Sequence, residues 1–509
     1  MSFFSEHRSK ITKAAGVAGS ATMSRLICLL FCATTSICAA ADLKRPHIIF
    51  MMADDMGWGQ TSYRNHPVLK TPHLDAMAAN GLRCERFYAG NPVCSPTRAC
   101  VLTGRTNERC GVLSHGYALR TQEKTIAQAL KTVGYATAHF GKWHLNGLTG
   151  PGAPVLADDP RGPSAFGFDT WLSATNYIDM APFLGRQGVP EQITGDSSEV
   201  IVREAGLLLE KQAQNKQPIF AVIWFGSPHA PFKASDADKA MFADLDEASA
   251  NHYGELVALD RSVGLLRQKL RDLGMAENTL LVFNSDNGGL PEIQPATTGG
   301  LRGVKGQVYE GGLRVPGIIE WPAVIKPRVT SYPVCVLDLF PTVADIVGLP
   351  TSSFIQPVDG ASIKPLFAAE LGQREQALGF RFGQKIAFIK GRYKLVSDQR
   401  KQDKRFELYD LEADPNESQD LRQAQPERFA ELKELWQRWD ESVESSLQGK
   451  DYPEGKVSPP DPTPTPWTTA EPYQKYLPQW NSYWVYAEYL QTAESKRKRQ
   501  SKLVQKIER

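Results

Sequence analysis

The chain has almost no net charge. Its 58 Lys and Arg residues stand against 56 Asp and Glu, a formal +2 over 509 residues. A molecule-wide basic field of the kind that binds nucleic acid is thereby excluded. Cysteine is scarce, and eight residues are too few for a disulfide-built scaffold. Long apolar runs are absent apart from one near the N-terminus, which excludes a multi-span membrane protein. No internal repeat recurs. The remainder, 42% hydrophobic and 22% charged with a mean hydropathy of −0.33, is ordinary globular composition, so disorder and collagen are excluded too.

The small net charge conceals an uneven distribution. Residues 1–41 carry +3 and residues 496–509 carry +6, so the body between them is acidic at −7. An acidic body is a poor general trap for anions, and any anion site has to be built from individually placed Lys, Arg and His. The single apolar stretch, 26–38, follows Arg25 and precedes Ala39, Ala40 and Ala41. A basic flank, a short apolar segment and small residues describe a secretory signal over 1–41, with Met23 as an alternative start. The stretch is short for a membrane span, and an uncleaved anchor is the competing reading. The expectation is an exported protein (periplasmic, secreted or lysosome-like) with no stable membrane insertion and no nucleic-acid partner.

From Pro46 onward, strand and helix signals alternate. Residues 47–53 are a continuous apolar run of strand length. Thr71 and Pro72 open a helix that Gly81 closes. A helix over 125–133 leads to a strand over 135–140, and a helix over 199–214 to a buried strand over 218–225. A long amphipathic helix over 253–273 precedes a strand over 279–283. This order predicts an α/β fold with a mostly parallel sheet and helices on both faces. Near residue 370 the pattern changes. Residues 385–396 read as two strands meeting at Lys390-Gly391, 407–411 as another, and 426–447 as an amphipathic helix. The expected organisation is a larger α/β domain over 42–370, a smaller α+β subdomain over 371–448 and an extension over 449–509. The extension begins Pro- and Thr-rich and turns aromatic at Trp467, Trp480 and Trp484. That aromatic part is expected to pack on the protein before a solvated basic tail.

Asp54-Asp55 follows the first strand and Asp286-Asn287 follows the strand over 279–283. Adjacent carboxylates repel and need a cation or basic partner, and the carboxyl ends of parallel strands are where α/β folds carry their sites. Four oxygen side chains without a His or Cys partner suit a hard cation, Ca2+ or Mg2+. Either pair alone is equally a turn cap. Cys94 lies just before Pro96, which suits the first position of a helix. That would put the thiol at a helix N-terminus with Arg98 nearby, lowering its pKa. A disulfide cysteine, a buried small side chain and a thiol nucleophile served by a His are the other readings.

Several segments then resemble one family. Cys94-Ser95-Pro96-Thr97-Arg98 with Leu102-Thr103-Gly104-Arg105 is similar to the signature of type I, formylglycine-dependent sulfatases. Asp54–Gly59, Gly141-Lys142-Trp143-His144, Ser227–Pro231, Asp286-Asn287-Gly288 and the stretch 303–316 resemble further family motifs, in order across about 46–365. Arylsulfatase A and the N-acetylgalactosamine-6-sulfatases are the nearest in flavour. Thr97 departs from the commoner Ser.

The resemblance implies an alkaline-phosphatase-like α/β fold and hydrolysis of sulfate monoesters. It implies oxidation of Cys94 to Cα-formylglycine by a formylglycine-generating enzyme. The hydrated aldehyde then attacks sulfur with one hydroxyl, and the other expels sulfate. By the same resemblance, Asp54, Asp55, Asp286, Asn287 and the Cys94-derived side chain hold a cation, Ca2+ in preference to Mg2+. Arg98 orients the nucleophile, Lys142 and Lys305 pair with the sulfate, His229 protonates the leaving oxygen and His144 partners the second hydroxyl. His115 is a candidate for the substrate mouth, whereas His66 and His252 read as structural.

Two rivals are a phosphomonoester or phosphonate hydrolase of the same superfamily and a non-catalytic binder of sulfated glycans with Cys94 unconverted. The loops over 145–165 and 290–302 are expected to set preference between sulfated glycans and small aryl sulfates. Cys28, Cys32 and Cys38 would leave with the signal. Cys84, Cys100, Cys110 and Cys335 remain, an even number that leaves one or two disulfides open among three pairings.

Overall fold

In the computed structural model, continuous hydrophobicity in the first strand has a clear cause. Ile48, Phe50 and Met52 enter one core while Ile49, Met51 and Ala53 enter another, because alternate side chains of a strand face opposite ways. The structure describes residues 45–295, 297–398 and 405–491. The expected signal over 1–41, its three cysteines and the basic tail over 496–509 lie outside the described residues.

Among the described residues, ten strands form the main sheet. They are β1 His47–Ala53, β2 Leu82–Cys84, β3 Ala136–Lys142, β4 Thr170–Ala174, β5 Phe183–Arg186, β6 Val189–Gln192, β7 Ile219–Trp224, β8 Thr279–Ser285, β9 Gly317–Glu320 and β10 Arg328–Thr330. Their spatial order is β10-β2-β9-β8-β1-β7-β3-β4-β5-β6. The central run β8-β1-β7-β3-β4 is parallel throughout. The antiparallel β9 flanks it on one side and the β5-β6 hairpin on the other.

The helices are α1 Pro72–Asn80, α2 Cys94–Thr103, α3 Ile126–Lys131, α4 Ser197–Asn215, α5 Glu247–Asp272 and α6 Leu339–Val347. Helices α1, α4 and α5 cover one face, where Leu74, Val200 and Leu256 meet Ile49 and Met51. Helices α2, α3 and α6 cover the other, where Val101, Ile126 and Phe340 meet Phe50. Helix α5 starts six residues before the expected position. Its first turn is polar and shows no apolar period, and it is fixed by Asp246, whose carboxylate accepts from the Ala248 and Ser249 amides at 3.1 and 3.0 Å.

The C-terminal module is a meander of β11 Leu378–Phe382, β12 Lys385–Lys390, β13 Tyr393–Ser397 and β14 Glu407–Asp410, with α7 Pro426–Leu447 on one face. Ile386, Phe388 and Leu395 pack against Leu432 and Trp436 of α7. Phe380, Ile389 and Val396, on the opposite face, join the large core shared with α2. A buried ion triad fixes the junction, with Lys394 Nζ 2.9 Å from both Glu310 and Glu417. Lys385 Nζ also donates to the Gly306 carbonyl at 2.5 Å.

The cysteine arithmetic is settled against disulfides. Cys84, Cys94, Cys100, Cys110 and Cys335 are all free and buried, and all but Cys94 sit as small apolar side chains in the core. Among the described residues no helix is long and apolar enough to cross a membrane.

Replacing Lys394 by Met strips two buried carboxylates of their shared cation. The expected cost is about 3–5 kcal/mol, read as a lower urea midpoint. An unchanged midpoint would refute the structural weight given to the triad.

Candidate active site

Strand register brings the acidic pairs together. Ala53 of β1 pairs with Ser285 of β8, so Asp54 and Asp286 leave adjacent strands side by side. Asp55 adopts φ 73°, a left-handed conformation that Asp tolerates better than most residues. Its amide donates to Asp286 Oδ1 at 3.2 Å, and Asn287 Nδ2 donates to Asp55 Oδ1 at 2.8 Å. Lys142 ends β3, two strands from β1. Gly141 before it has φ 97°, and a Cβ there would stand 2.0 Å from the Trp224 carbonyl oxygen, so this approach requires glycine.

Three buried carboxylates face three cations. Lys142 Nζ donates to Asp54 Oδ2 at 2.6 Å, and Arg98 Nη2 to Asp286 Oδ2 at 2.7 Å. Lys305 Nζ reaches both Asp55 oxygens, at 2.6 and 2.7 Å. Arg98 Nη1 also donates to the Lys142 carbonyl at 3.2 Å, tying α2 to β3. The match is tight, but burial still raises Asp54, and burial with the Asp54 charge raises Asp286 well above the carboxylate range. Burial would raise Asp55 as well, but Lys305 and then His229 pull it far down.

Helix α2 begins at Cys94 itself, so Pro96 is its third residue and not its first. Proline is accommodated there because first-turn amides have no intrahelical acceptor. Cys94 lines a cavity of about 280 Å3 with His115, Gly116, His144, Thr149, Gly150, Asn176, His229 and Lys305. Burial alone would raise its thiol, but Lys142, a hydrogen bond with His115 and Lys305 hold it well below the ordinary value. Burial, then Lys142 and Arg98, holds His144 well below the usual histidine range, and its Nδ1 has no hydrogen-bond partner. Burial and Lys305 lower His229 to about 4. The His229 ring stacks on Tyr177 at 4.8 Å. Its Nδ1 lies 2.5 Å from the Ala230 carbonyl oxygen, and Nε2 lies 3.8 Å from Asp55 Oδ2.

Every residue singled out from the sequence therefore falls in this cavity or in the ion cluster beneath it, and His115 lines the mouth. Thr149 and Gly150 come from the 145–165 loop expected to set preference, whereas Asn176 and Tyr177 were not anticipated. Asn176 and Tyr177 follow β4, a short strand without a hydrophobic signature of its own, and a site at its carboxyl end is visible only once that strand is. A larger cavity of about 360 Å3 surrounds Arg267, but that side chain is paired with Glu320 at 2.6 Å and no nucleophile lines it.

The donor set fits a hard cation. Carboxylate oxygens of Asp54 and Asp286 and the Cys94 sulfur lie within 4.8 Å of one another. Asp54 Oδ1 and Asn287 Oδ1 are buried without a hydrogen-bond partner, which is costly unless something else coordinates them.

Residues 46–349, more than half of the chain, match the family model described as Sulfatase. The chain belongs to the sulfatase family. Residues 304–444 match a second model, described as the C-terminal region of N-sulphoglucosamine sulphohydrolase. The sulfatase is 32% identical to arylsulfatase A of Homo sapiens over 373 residues, 66% of this chain and 70% of that protein. It is 31% identical to N-acetylgalactosamine-6-sulfatase of Sus scrofa over 414 residues, 74% of this chain and 75% of that protein. The crystal structure of Ps i-CgsB superposes with a TM-score of 0.69 at 25% identity, covering 78% of this chain and 93% of that one. The alkaline-phosphatase-like architecture is as expected, and the protein is a sulfuric ester hydrolase.

In the sulfatase with its Cys94 thiol intact, iodoacetamide is expected to label Cys94 first. Its rate should level off at a lower pH than that of a free thiol, because Lys142, His115 and Lys305 favour the thiolate. Cys84, Cys100, Cys110 and Cys335, whose thiols burial raises, should resist. A Cys94 rate that climbs with pH like that of a free thiol would contradict this electrostatic picture.

Proposed function

We propose that this sulfatase hydrolyses sulfate monoesters with a formylglycine made from Cys94 by a formylglycine-generating enzyme, and with a bound Ca2+. Sulfated glycans and aryl sulfates are the substrate class. The observation that carries the reading is the position of Cys94, at a helix N-terminus and on a cavity wall, with Lys142, Lys305 and three histidines around it. Hydrated, the aldehyde would supply one hydroxyl to attack sulfur and a second to release sulfate, so that water need not attack sulfur. A Ca2+ held by Asp54, Asp55, Asp286, Asn287 and the Cys94-derived group would polarise a sulfate oxygen.

The remaining roles belong to side chains of this chain. With the carboxylates engaged elsewhere, the ammonium groups of Lys142 and Lys305, now paired with Asp54 and Asp55, turn to the sulfate oxygens. Each such contact lowers the barrier by about 3 kcal/mol. Arg98, held by Asp286, fixes the orientation of the nucleophile. His229 donates its Nδ1 proton to the Ala230 carbonyl, leaving Nε2 to pass a proton to the leaving oxygen. His144, held neutral, accepts the proton of the second hydroxyl. Export through the 1–41 signal completes the reading.

Cys94→Ala is expected to abolish turnover of 4-nitrophenyl sulfate. In the wild type, the Cys94 peptide should weigh less by the difference between CH2SH and CHO. Chelation should silence the enzyme, and Ca2+ should restore it better than Mg2+. Faster turnover of 4-nitrophenyl phosphate would assign the site to phosphomonoesters, and an unmodified thiol in an inactive protein would leave a sulfated-glycan binder.

The low pKa of His229 sets the alkaline limb, on which activity falls as the general acid loses its proton. Values of kcat/KM report the free enzyme, in which the acid form of His229 fills only as pH falls toward about 4. Activity per free enzyme should therefore rise on acidification, and His229→Gln should flatten that rise.

A further inference from the structure

The extension after α7 returns to the catalytic cavity. It crosses the body at Arg120, whose Nη2 and Nε donate to Asp461 at 2.7 and 2.9 Å. Residues Thr465 and Pro466 then pair in parallel with Leu148 and Thr149. From there its aromatic side chains deliver their polar atoms to one target. Trp467 Nε1 donates to the Pro151 carbonyl at 2.8 Å, Tyr486 OH to Gly152 at 2.6 Å and Tyr473 OH to Pro154 at 2.9 Å. Tyr483 OH donates to the Met180 carbonyl at 3.1 Å, and the Thr465 amide to Gly147 at 2.9 Å.

Those five carbonyls belong to two loops that also bond to each other, the Gly152 amide to the Tyr177 carbonyl at 3.1 Å and the Thr175 amide to the Ala153 carbonyl at 2.7 Å, so the extension fixes a paired unit from outside. The first carries Gly147 and Gly150 at φ 82° and 104°, conformations with no side-chain preference to fix them. The second follows β4, and Asn176 Nδ2 joins the two by donating to the Gly150 carbonyl at 2.7 Å. Thr149, Gly150 and Asn176 form the cavity wall, together with the catalytic side chains. Behind Gly150 stands Tyr489, whose ring would lie 3.4 Å from a Cβ at that position.

We propose that residues 465–489 are a specificity-determining brace. They hold the 147–154 and 175–180 loops as a fixed wall against which the alcohol part of a glycan sulfate ester docks, while the sulfate is handled on the opposite side by Lys142 and Lys305. The inference rests on the substrate class proposed above. Trp467, Tyr473, Tyr483 and Tyr486 are positioning residues, since none touches the reacting atoms. A wall of this kind serves substrates large enough to reach it and is irrelevant to a small aryl ester.

The test is the triple variant W467F/Y473F/Y486F, which removes three donors and keeps the aromatic bulk. It is assayed beside wild type on 4-nitrophenyl sulfate and on whichever sulfated glycosaminoglycan or galactan oligosaccharide the wild type turns over fastest. At roughly 1 kcal/mol per lost hydrogen bond, KM for the oligosaccharide should rise about tenfold or more, with kcat on the aryl ester changed less than about twofold. Should the triple variant fail to fold, Tyr483→Phe, which is half-buried, is expected to give the same split on a smaller scale. Equal losses on both substrates, no loss on either, or a wild type that turns over no oligosaccharide would overturn the brace. Aryl sulfate turnover by the wild type tests the sulfatase chemistry separately.

Discussion

Asp54, Asp55 and Asp286 are buried side by side, and much of the molecule is arranged around that fact. Desolvating a carboxylate costs several kcal/mol, and three together add mutual repulsion. The protein answers with three cations drawn from three distant parts of the chain: Arg98 from α2, Lys142 from the end of β3, and Lys305 from the segment after β8. Each element must be in place for the others to be tolerable. That makes the cluster a reason for the parallel order β8-β1-β7-β3, in which the carboxyl ends of β1, β8 and β3 share one edge. The same pairing leaves Asp54 Oδ1 and Asn287 Oδ1 without hydrogen-bond partners, so the cluster can take a further positive charge.

The cluster is steadied by flanking structure on two sides. On one, the C-terminal meander contributes Lys394, between Glu310 and Glu417, and Lys385, on the Gly306 carbonyl, and so fixes the segment that presents Lys305. On the other, the aromatic extension holds the glycine-rich loop facing the cavity. A loop containing Gly147, Gly150 and Gly152 loses more chain entropy on ordering than most, and buried indole and phenol donors offset that cost while satisfying its carbonyls.

Legibility in the sequence followed the physics of each element. β1 and β8 were readable because a strand buried on both faces is apolar throughout, and α7 because one face of it packs on a sheet while the other meets water. The chemical residues were readable because they sit in short contiguous motifs. Short strands such as β2, β9 and β10 were not, since three or four residues carry no period, and α5 hid its start behind a polar first turn. The four remaining cysteines looked pairable by number alone, whereas geometry disposes of each in a core as a free thiol. Tyr177 and Asn176 were invisible because their importance comes from stacking on His229 and bonding to Gly150, contacts that no local pattern encodes.

This division explains why the reaction is easier to read than the substrate. In the proposed mechanism the motif residues meet the sulfate group, which every sulfate ester presents alike, so their chemistry constrains them to fixed residue types. The alcohol differs from one ester to the next, and the wall proposed to receive it is made of Thr149, Gly150 and Asn176. Residues 465–489 contact that wall from more than three hundred positions away in sequence. On the proposed brace, specificity is a property of long-range packing, and reaction type a property of local sequence. The acidic body fits the same division. With no global field to gather anions, recognition of the charged group depends on cations brought within about 3 Å of their partners.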